Sequence, residues 1–282
     1  MPRKASIALV GPGNLGTALA LALGRAGYGI SAVVSRKSSL AKARALAKQI
    51  GSHATIGAAK VEADIVWFCV PDSEIAQAAQ SWAGAFRGNG RVGLHSSGAL
   101  SSDALAALRR KGFAVASVHP LMTFVPGSRP APAGVPFAVE GDPSATRLAR
   151  RIVGDLGGRY YPIRKQDKPA YHAWGTFASP LLTALLATTE QVAAAAGVNQ
   201  AEIRSRMIPI LLQTLGNYAQ FGGAGAFSGP IIRGDVATVE KHLKVLRAVP
   251  IAREVYKSLA RAALRYLPAK NKGSLKQIFD SE

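Results

Sequence analysis

The chain has 282 residues, 48% of them apolar, so it is globular and long enough for two domains with sizeable cores. Lys and Arg number 35 against 16 Asp and Glu, a formal charge of +19 that raises the question of a nucleic-acid partner. The cations are scattered in short groups such as Arg109-Arg110-Lys111, without interleaved aromatics, so nucleic-acid binding is not expected; no apolar run reaches the roughly 18 residues of a membrane span, and the lone Cys69 excludes an internal disulfide, which fits a cytoplasmic protein.

The first element is a short apolar strand, Ile7 to Val10. Gly11, Gly13 and Gly16 follow, and an apolar helix pattern runs on to Gly27. This is G-x-G-x-x-G between a strand and a helix, the context in which that spacing holds a dinucleotide. Gly11 permits the tight turn, Gly13 lets a diphosphate approach the backbone, and Gly16 lets helix pack on strand. The helix N-terminus then offers free N–H groups to the phosphates.

A second strand spans Tyr28 to Val34 and ends in Ser35-Arg36-Lys37-Ser38. An acid here would accept from the ribose 2′-OH and repel a 2′-phosphate. A hydroxyl followed by two cations does the opposite, so Ser35, Arg36 and Lys37 predict NADP(H) rather than NAD(H). Ser39 to Ile50 reads as a helix. Asp64 to Val70 is nearly continuously apolar, as a strand buried on both faces should be. Pro71 stops it, and Asp72 or Ser73 can cap the helix Glu74 to Ala83. Arg91 to Leu94 is a short strand ending in His95-Ser96-Ser97-Gly98, and Phe113 to Val118 another, ending in His119-Pro120. A Pro- and Gly-rich loop, Leu121 to Val135, should cross the mouth of the sheet. Phe137 to Glu140 and Arg159 to Ile163 read as strands around a helix, Ser144 to Leu156.

From Pro169 the pattern is helical. One helix could run to about Ala196, with Tyr171, Trp174, Ala178, Leu181, Leu182 and Leu185 as a core stripe. His172, Thr176, Ser179 and Thr183 form a polar stripe on one face, read as the floor of a cleft between domains. Pro180 should kink this helix. A further helix runs to about Tyr218, Phe221 to Asp235 is a loop, Asp235 caps Val236 to Val249, and Ile251 to Tyr266 follows. The polar tail from Lys270 should fray. The fold class is α/β: a Rossmann-like, doubly wound, mostly parallel sheet in residues 1–165 and an all-helical domain for substrate and dimerisation in 166–282.

Several segments occur together in this order: GPGNLGTALA, VPD after an apolar strand, HSSGAL, HP followed by TF, KPAYHA and SGPIIRGD. Over roughly Ser6 to Leu267 the chain resembles the bacterial Rossmann-like NADP-dependent oxidoreductase family with a C-terminal helical domain of unknown function. More distantly it is similar to the 6-phosphogluconate dehydrogenase-like group, with pyrroline-5-carboxylate and ketopantoate reductases. The resemblance implies that Gly11, Gly13, Asn14, Leu15 and Gly16 hold the diphosphate and that Ser35 and Arg36 face the 2′-phosphate. It puts Val70, Pro71 and Asp72 on the adenosine side and Ser96, Ser97 and Gly98 nearer the nicotinamide. In the family an Asn follows the serine equivalent to Ser179; here it is Pro180, which puts catalysis in question and leaves nucleotide binding untouched.

Hydride transfer asks the protein for orientation, a proton donor and exclusion of water. A donor with a pKa near neutrality favours His. His172 is the first candidate for general acid and His119 the second. Arg233 could anchor an anionic substrate, and Ser179 shares the polar stripe. The histidines lack metal-ligand spacing, so no metal is expected. The reading is an NADP(H)-dependent reductase of a small anionic carbonyl or imine, a homodimer through its helical domain. The alternative is an NADP(H)-binding sensor or scaffold without hydride transfer.

Overall fold

The computed structural model describes residues 4–58, 61–85, 90–128 and 130–280. By internal contacts the chain divides into two compact units, Met1–Thr176 and Phe177–Glu282.

In the first unit the elements follow the alternation of the sequence. They are β1 (Ile7–Val10), α1 (Asn14–Arg25), β2 (Ile30–Ser35), α2 (Leu40–Gln49), β3 (Ala54–Ile56), β4 (Ile65–Phe68), α3 (Asp72–Ala85) and β5 (Val92–His95). Then come α4 (Ala106–Arg109), β6 (Ala114–Pro120), β7 (Pro136–Gly141), α5 (Pro143–Asp155), β8 (Arg159–Pro162) and α6 (Lys168–Thr176). The sheet has eight strands in the order β3-β2-β1-β4-β5-β6-β7-β8. Every pairing is parallel except β6 with β7, so β7 and β8 run against the other six strands. Strand order reverses between β1 and β4, and the carboxyl ends of these strands lie side by side: Val10 pairs with Phe68. That is the switch point at which doubly wound sheets take ligands.

Both sheet faces are covered, which is why β1 and β4 read as unbroken apolar runs. Ile7, Leu9, Val33, Trp67 and Leu94 pack with α1, α2 and α5 on one face. Ala8, Val10, Val34, Val66 and Phe68 pack with α3, Leu105 and Leu108 on the other. The loop after β6 folds back on α1: Met122, Phe124, Pro130 and Pro132 share an apolar pocket with Leu15, Ala18 and Leu19.

The second unit begins with a π-helical turn, Phe177–Leu181, followed by α7 (Leu182–Ala195) and α8 (Ile203–Ala226), which is broken at Gly222 with φ +68°. α9 (Pro230–Arg233), α10 (Val236–Val245), α11 (Pro250–Tyr266) and α12 (Lys272–Asp280) complete it. Its core is Val239, Leu243, Ala260, Leu275 and Phe279.

Four expectations change. Pro180 does not simply kink an α-helix; the π turn takes it in, since a residue without an N–H fits a turn already outside the α-helical ladder. The tail does not fray, because Leu275 and Phe279 of α12 are fully buried. Helix continues to Ala226 and resumes as α9 inside the expected loop. The core stripe holds only at Tyr171: Trp174 is 57% exposed and Leu181 45%. Helical spacing marks an apolar face and leaves open what that face meets. Asp235 does cap α10, accepting from the Thr238 N–H at 3.1 Å.

Candidate functional site

The three fingerprint glycines meet three different demands. Gly11 sits at φ +103°, and a Cβ there would lie 2.6 Å from the Cys69 carbonyl oxygen. A Cβ on Gly16 would lie 2.0 Å from the Gly11 carbonyl oxygen, so only glycine lets α1 pack this closely. Gly13 has an ordinary φ of −74° and open space where its Cβ would be. The fold does not need glycine there, whereas a bound group resting on bare backbone would. Gly13 also precedes α1 as its N-cap without a capping side chain, and the first turn carries no acid. The helix therefore presents free N–H groups and its positive end to that space.

Beside this turn a cleft of 560 Å³ opens at the carboxyl ends of β1, β2 and β4. Of the candidate site residues, Gly11, Gly13, Ser35, Arg36, Val70 and Pro71 line it, and so do Ser39, Lys42 and Glu74. The Ser35 hydroxyl donates to the Arg36 carbonyl oxygen at 3.1 Å. Arg36 is exposed and its Nη1 lies 2.8 Å from Glu74 Oε1. Lys37 is not among the lining residues; it opens a 3₁₀ turn, and Lys42 on α2 brings the second cation to the cleft. Asn14 and Leu15 hold the loop after β6: Asn14 Nδ2 donates to the Phe124 carbonyl at 3.2 Å, and Leu15 packs in the apolar pocket.

A second cluster forms where β5 and β6 end. Asp72, at the start of α3, accepts from the Ser97 hydroxyl at 2.7 Å, tying the end of β4 to the turn after β5. The Ser96 hydroxyl accepts from Trp67 Nε1 at 2.9 Å. His95 is fully buried: Nε2 donates to the Ser101 carbonyl at 3.0 Å and Nδ1 accepts from the Ser97 N–H at 3.1 Å. Burial, then the nearby Lys168 charge, lowers it to about 4, so it is neutral and its ring nitrogens are occupied. Its role is to shape the 95–98 turn.

Gly98 brings the two candidate acids together. A Cβ on it would lie 2.7 Å from His172 Cδ2 and 2.9 Å from His119 Nε2. The His119 and His172 rings meet edge to face, centroids 6.4 Å apart. His119 Nδ1 is 2.7 Å from the Tyr171 hydroxyl. Burial, with Lys168, His172 and His95 adding repulsion, lowers His119 to about 3. His172 is exposed. Behind the pair, Lys168 is fully buried and its Nζ donates to Ser117 Oγ at 2.6 Å and the Ser97 carbonyl at 2.9 Å. Burial lowers it to about 8, against the pull of Glu140 and Asp72.

Ser179 and Arg233 belong to the second unit. Ser179 is half-buried in the π turn, and Arg233 ends α9, exposed. The threonines of the polar stripe satisfy themselves: the Thr176 and Thr183 hydroxyls donate to the carbonyls of His172 and Ser179, one turn back. Lys168 and Ser117 escape the sequence reading, which takes Tyr171 only as a core residue. Lys168 looks like a solvated cation at a helix start. Its spacing to Tyr171 and His172, three and four residues, was the available sign that the three share a face.

Fold and site together define a doubly wound, Rossmann-like protein with a helical C-terminal unit. Residues 1–120 match the model of a Rossmann-like domain and residues 135–263 that of a domain of unknown function, DUF2520. The two matches follow one another in the order that the sequence resemblance implies, a Rossmann-like domain and then a domain of unknown function. The second match begins before β7, so it includes the last two strands of the sheet. No curated protein matches the chain.

Among solved structures, a Bacteroides fragilis protein provisionally assigned as an NADP oxidoreductase is 23% identical, with TM-score 0.77 over 92% of this chain and 98% of that one. A reductive aminase from Aspergillus terreus, in complex with NADPH and ethyl-5-oxohexanoate, is 17% identical, with TM-score 0.66 over 98% and 99%. A pyrroline-5-carboxylate reductase from Coxiella burnetii is 14% identical, with TM-score 0.60 over 98% and 99%. At these identities the likeness is one of fold.

Proposed function

We propose that the protein is an NADP(H)-dependent oxidoreductase that reduces a small, anionic carbonyl or imine compound. The observation that carries this is the cleft at the switch point. One end offers the bare Gly13 backbone and the N-terminus of α1; the other offers Ser35, Ser39, Arg36 and Lys42. The first suits a diphosphate, the second the additional phosphate of NADP(H). Similarly folded proteins described as an NADP oxidoreductase, a reductive aminase with NADPH and a pyrroline-5-carboxylate reductase support the reading.

The nicotinamide would supply the hydride, and the turn 95–98 and the His119–His172 pair would serve the reacting end. His172, open to solvent, is the proton donor; Arg233 and Ser179 are the candidates for holding an anionic substrate. The test is NADPH oxidation against a library of keto acids and cyclic imines. Turnover that H172A abolishes supports the assignment. Tight NADPH binding without turnover across the library favours the sensor reading, to which Pro180 points.

We also propose a homodimer through the helical unit. α7 has no buried residue and α8 only Ile203, while Ile210 is 67% exposed and Leu212 64%. Apolar surface of that extent marks an interface. Light scattering should read two chains per particle. A cytoplasmic setting, with the single Cys69 reduced, completes the proposal.

A further inference from the structure

We propose that the backbone N–H of Gly98 is a binding site for a single carbonyl-type oxygen, neutral or anionic, and that Lys168 is the positioning residue that aims it. The part this donor plays in reduction rests on the oxidoreductase reading; the free donor itself does not.

Four consecutive amides, Ser97 to Leu100, turn the chain after β5, and three of them are satisfied inside the turn. The Ser97 N–H donates to His95 Nδ1 at 3.1 Å, and the Ala99 and Leu100 N–H groups donate to Ser97 Oγ at 3.2 and 2.9 Å. The Gly98 N–H has no hydrogen-bond partner among the described residues, although Gly98 is buried. Buried backbone donors are nearly always paired, so one left open in a turn that closes the other three marks a place for an acceptor. The nearest side-chain oxygen cannot serve. Ser97 Oγ already accepts from two amides and gives its own proton to Asp72 at 2.7 Å, which uses all its capacity.

The direction of this N–H is set from behind. The Ser97–Gly98 peptide is trans, so the Ser97 carbonyl and the Gly98 N–H point to opposite sides. That carbonyl accepts from Lys168 Nζ at 2.9 Å and from the Ser117 hydroxyl at 3.3 Å, and Lys168 also donates to Ser117 Oγ at 2.6 Å. An amine only donates here and a carbonyl only accepts, so the direction of the contact is fixed. Two buried donors hold the peptide plane and turn the Gly98 N–H away from Lys168. An alkyl chain could fill the same volume but could not hold the carbonyl. Asp72 and Glu140 favour the buried ammonium. Gly98 also stands between the two imidazoles, since a Cβ on it would lie 2.7 Å from His172 Cδ2 and 2.9 Å from His119 Nε2. The donor therefore belongs to the reacting end. As a carbonyl is reduced, a hydride joins its carbon, the π pair moves to oxygen and a proton follows from His172. A fixed N–H at that oxygen stabilises the charge as it forms, without reorganisation. The carboxamide oxygen of a nicotinamide is the other acceptor of the same chemistry.

Amide NMR of the full chain tests this. With serine ¹³C-labelled at its carbonyl and glycine ¹⁵N-labelled, the Ser97–Gly98 and Ser228–Gly229 amides are selected, and S228A removes the second. In the free protein the Gly98 proton should show the steep temperature dependence of an amide without an internal partner; a shallow one overturns the inference. The probes are NADPH alone and pyruvate added to the NADP⁺ complex. A downfield shift of the Gly98 proton with NADPH supports the site and assigns the oxygen to the carboxamide; a shift that needs pyruvate supports it and assigns the oxygen to the substrate. No shift with either, while calorimetry shows cofactor bound, overturns it. Lost cofactor binding counts against the oxidoreductase reading, and the temperature dependence still decides whether the donor is free. For Lys168, K168M should weaken the shift in a protein that still melts cooperatively, whereas S117A, which leaves the Lys168 bond to the Ser97 carbonyl, should keep it. A full shift in folded K168M overturns the positioning role.

Discussion

Gly98 shows how one hydrogen atom organises a site. It stands where two imidazoles converge, and a methyl group would meet His172 Cδ2 at 2.7 Å. Both rings would have to turn aside. G98A is therefore expected to lower turnover at least a hundredfold, since small misplacements of reacting groups are that costly. NADPH affinity should fall far less than turnover, because Gly98 does not line the cleft at the switch point. Steady-state kinetics and a binding isotherm on the same variant check both halves. Arg36 offers a residue-scale test of selectivity. Its guanidinium pairs with Glu74, at 2.8 Å, a contact that would compete with a phosphate for it. Exposed pairs are worth about 0.2–1 kcal/mol. E74Q should therefore tighten NADPH by up to about fivefold and leave NADH nearly unchanged, as competitive titration would record.

The elements were legible to different degrees, for physical reasons. β1, β4 and their glycine turn are readable because burial on both faces forces a continuous apolar run and tight packing forces glycine. β3 is not, since its three residues have no fully buried position and leave no pattern. α12 is misread because a helix that buries only Leu275 and Phe279 looks polar on average. Within the site, the Ser35–Arg36 pair and His119 are visible as residue types at strand ends, and His172 as part of a polar helical stripe. Lys168 is not, since no local signal separates a buried amine from a solvated one. At this scale F279A should cost about 3–5 kcal/mol, the usual loss for a large buried aromatic. Urea unfolding would measure it, and a loss below 1 kcal/mol would restore the view of α12 as a loose tail.

Across the whole molecule, buried histidines tie stability to acidity. His95 is lowered to about 4 by burial and then by Lys168, and an unfolded chain restores it to near 6.5. Between those values the unfolded chain binds a proton that the folded one refuses. Stability is therefore full above about pH 6.5 and falls as pH drops toward 4, by about 3 kcal/mol for this group. H95Q, which can still serve the Ser101 carbonyl, should flatten that dependence while lowering stability at neutral pH. Denaturant midpoints between about pH 4 and 7 would reveal it.

The central claim is that a glycine turn and a cationic strand end share one NADP(H) cleft. Isothermal titration of purified protein with NADPH and NADH, alongside R36A, tests it most directly. The account predicts that NADPH binds at least about tenfold more tightly than NADH and that R36A removes most of that difference, the loss of one charge-assisted bond. No heat with either cofactor, or tighter binding of NADH, would contradict it.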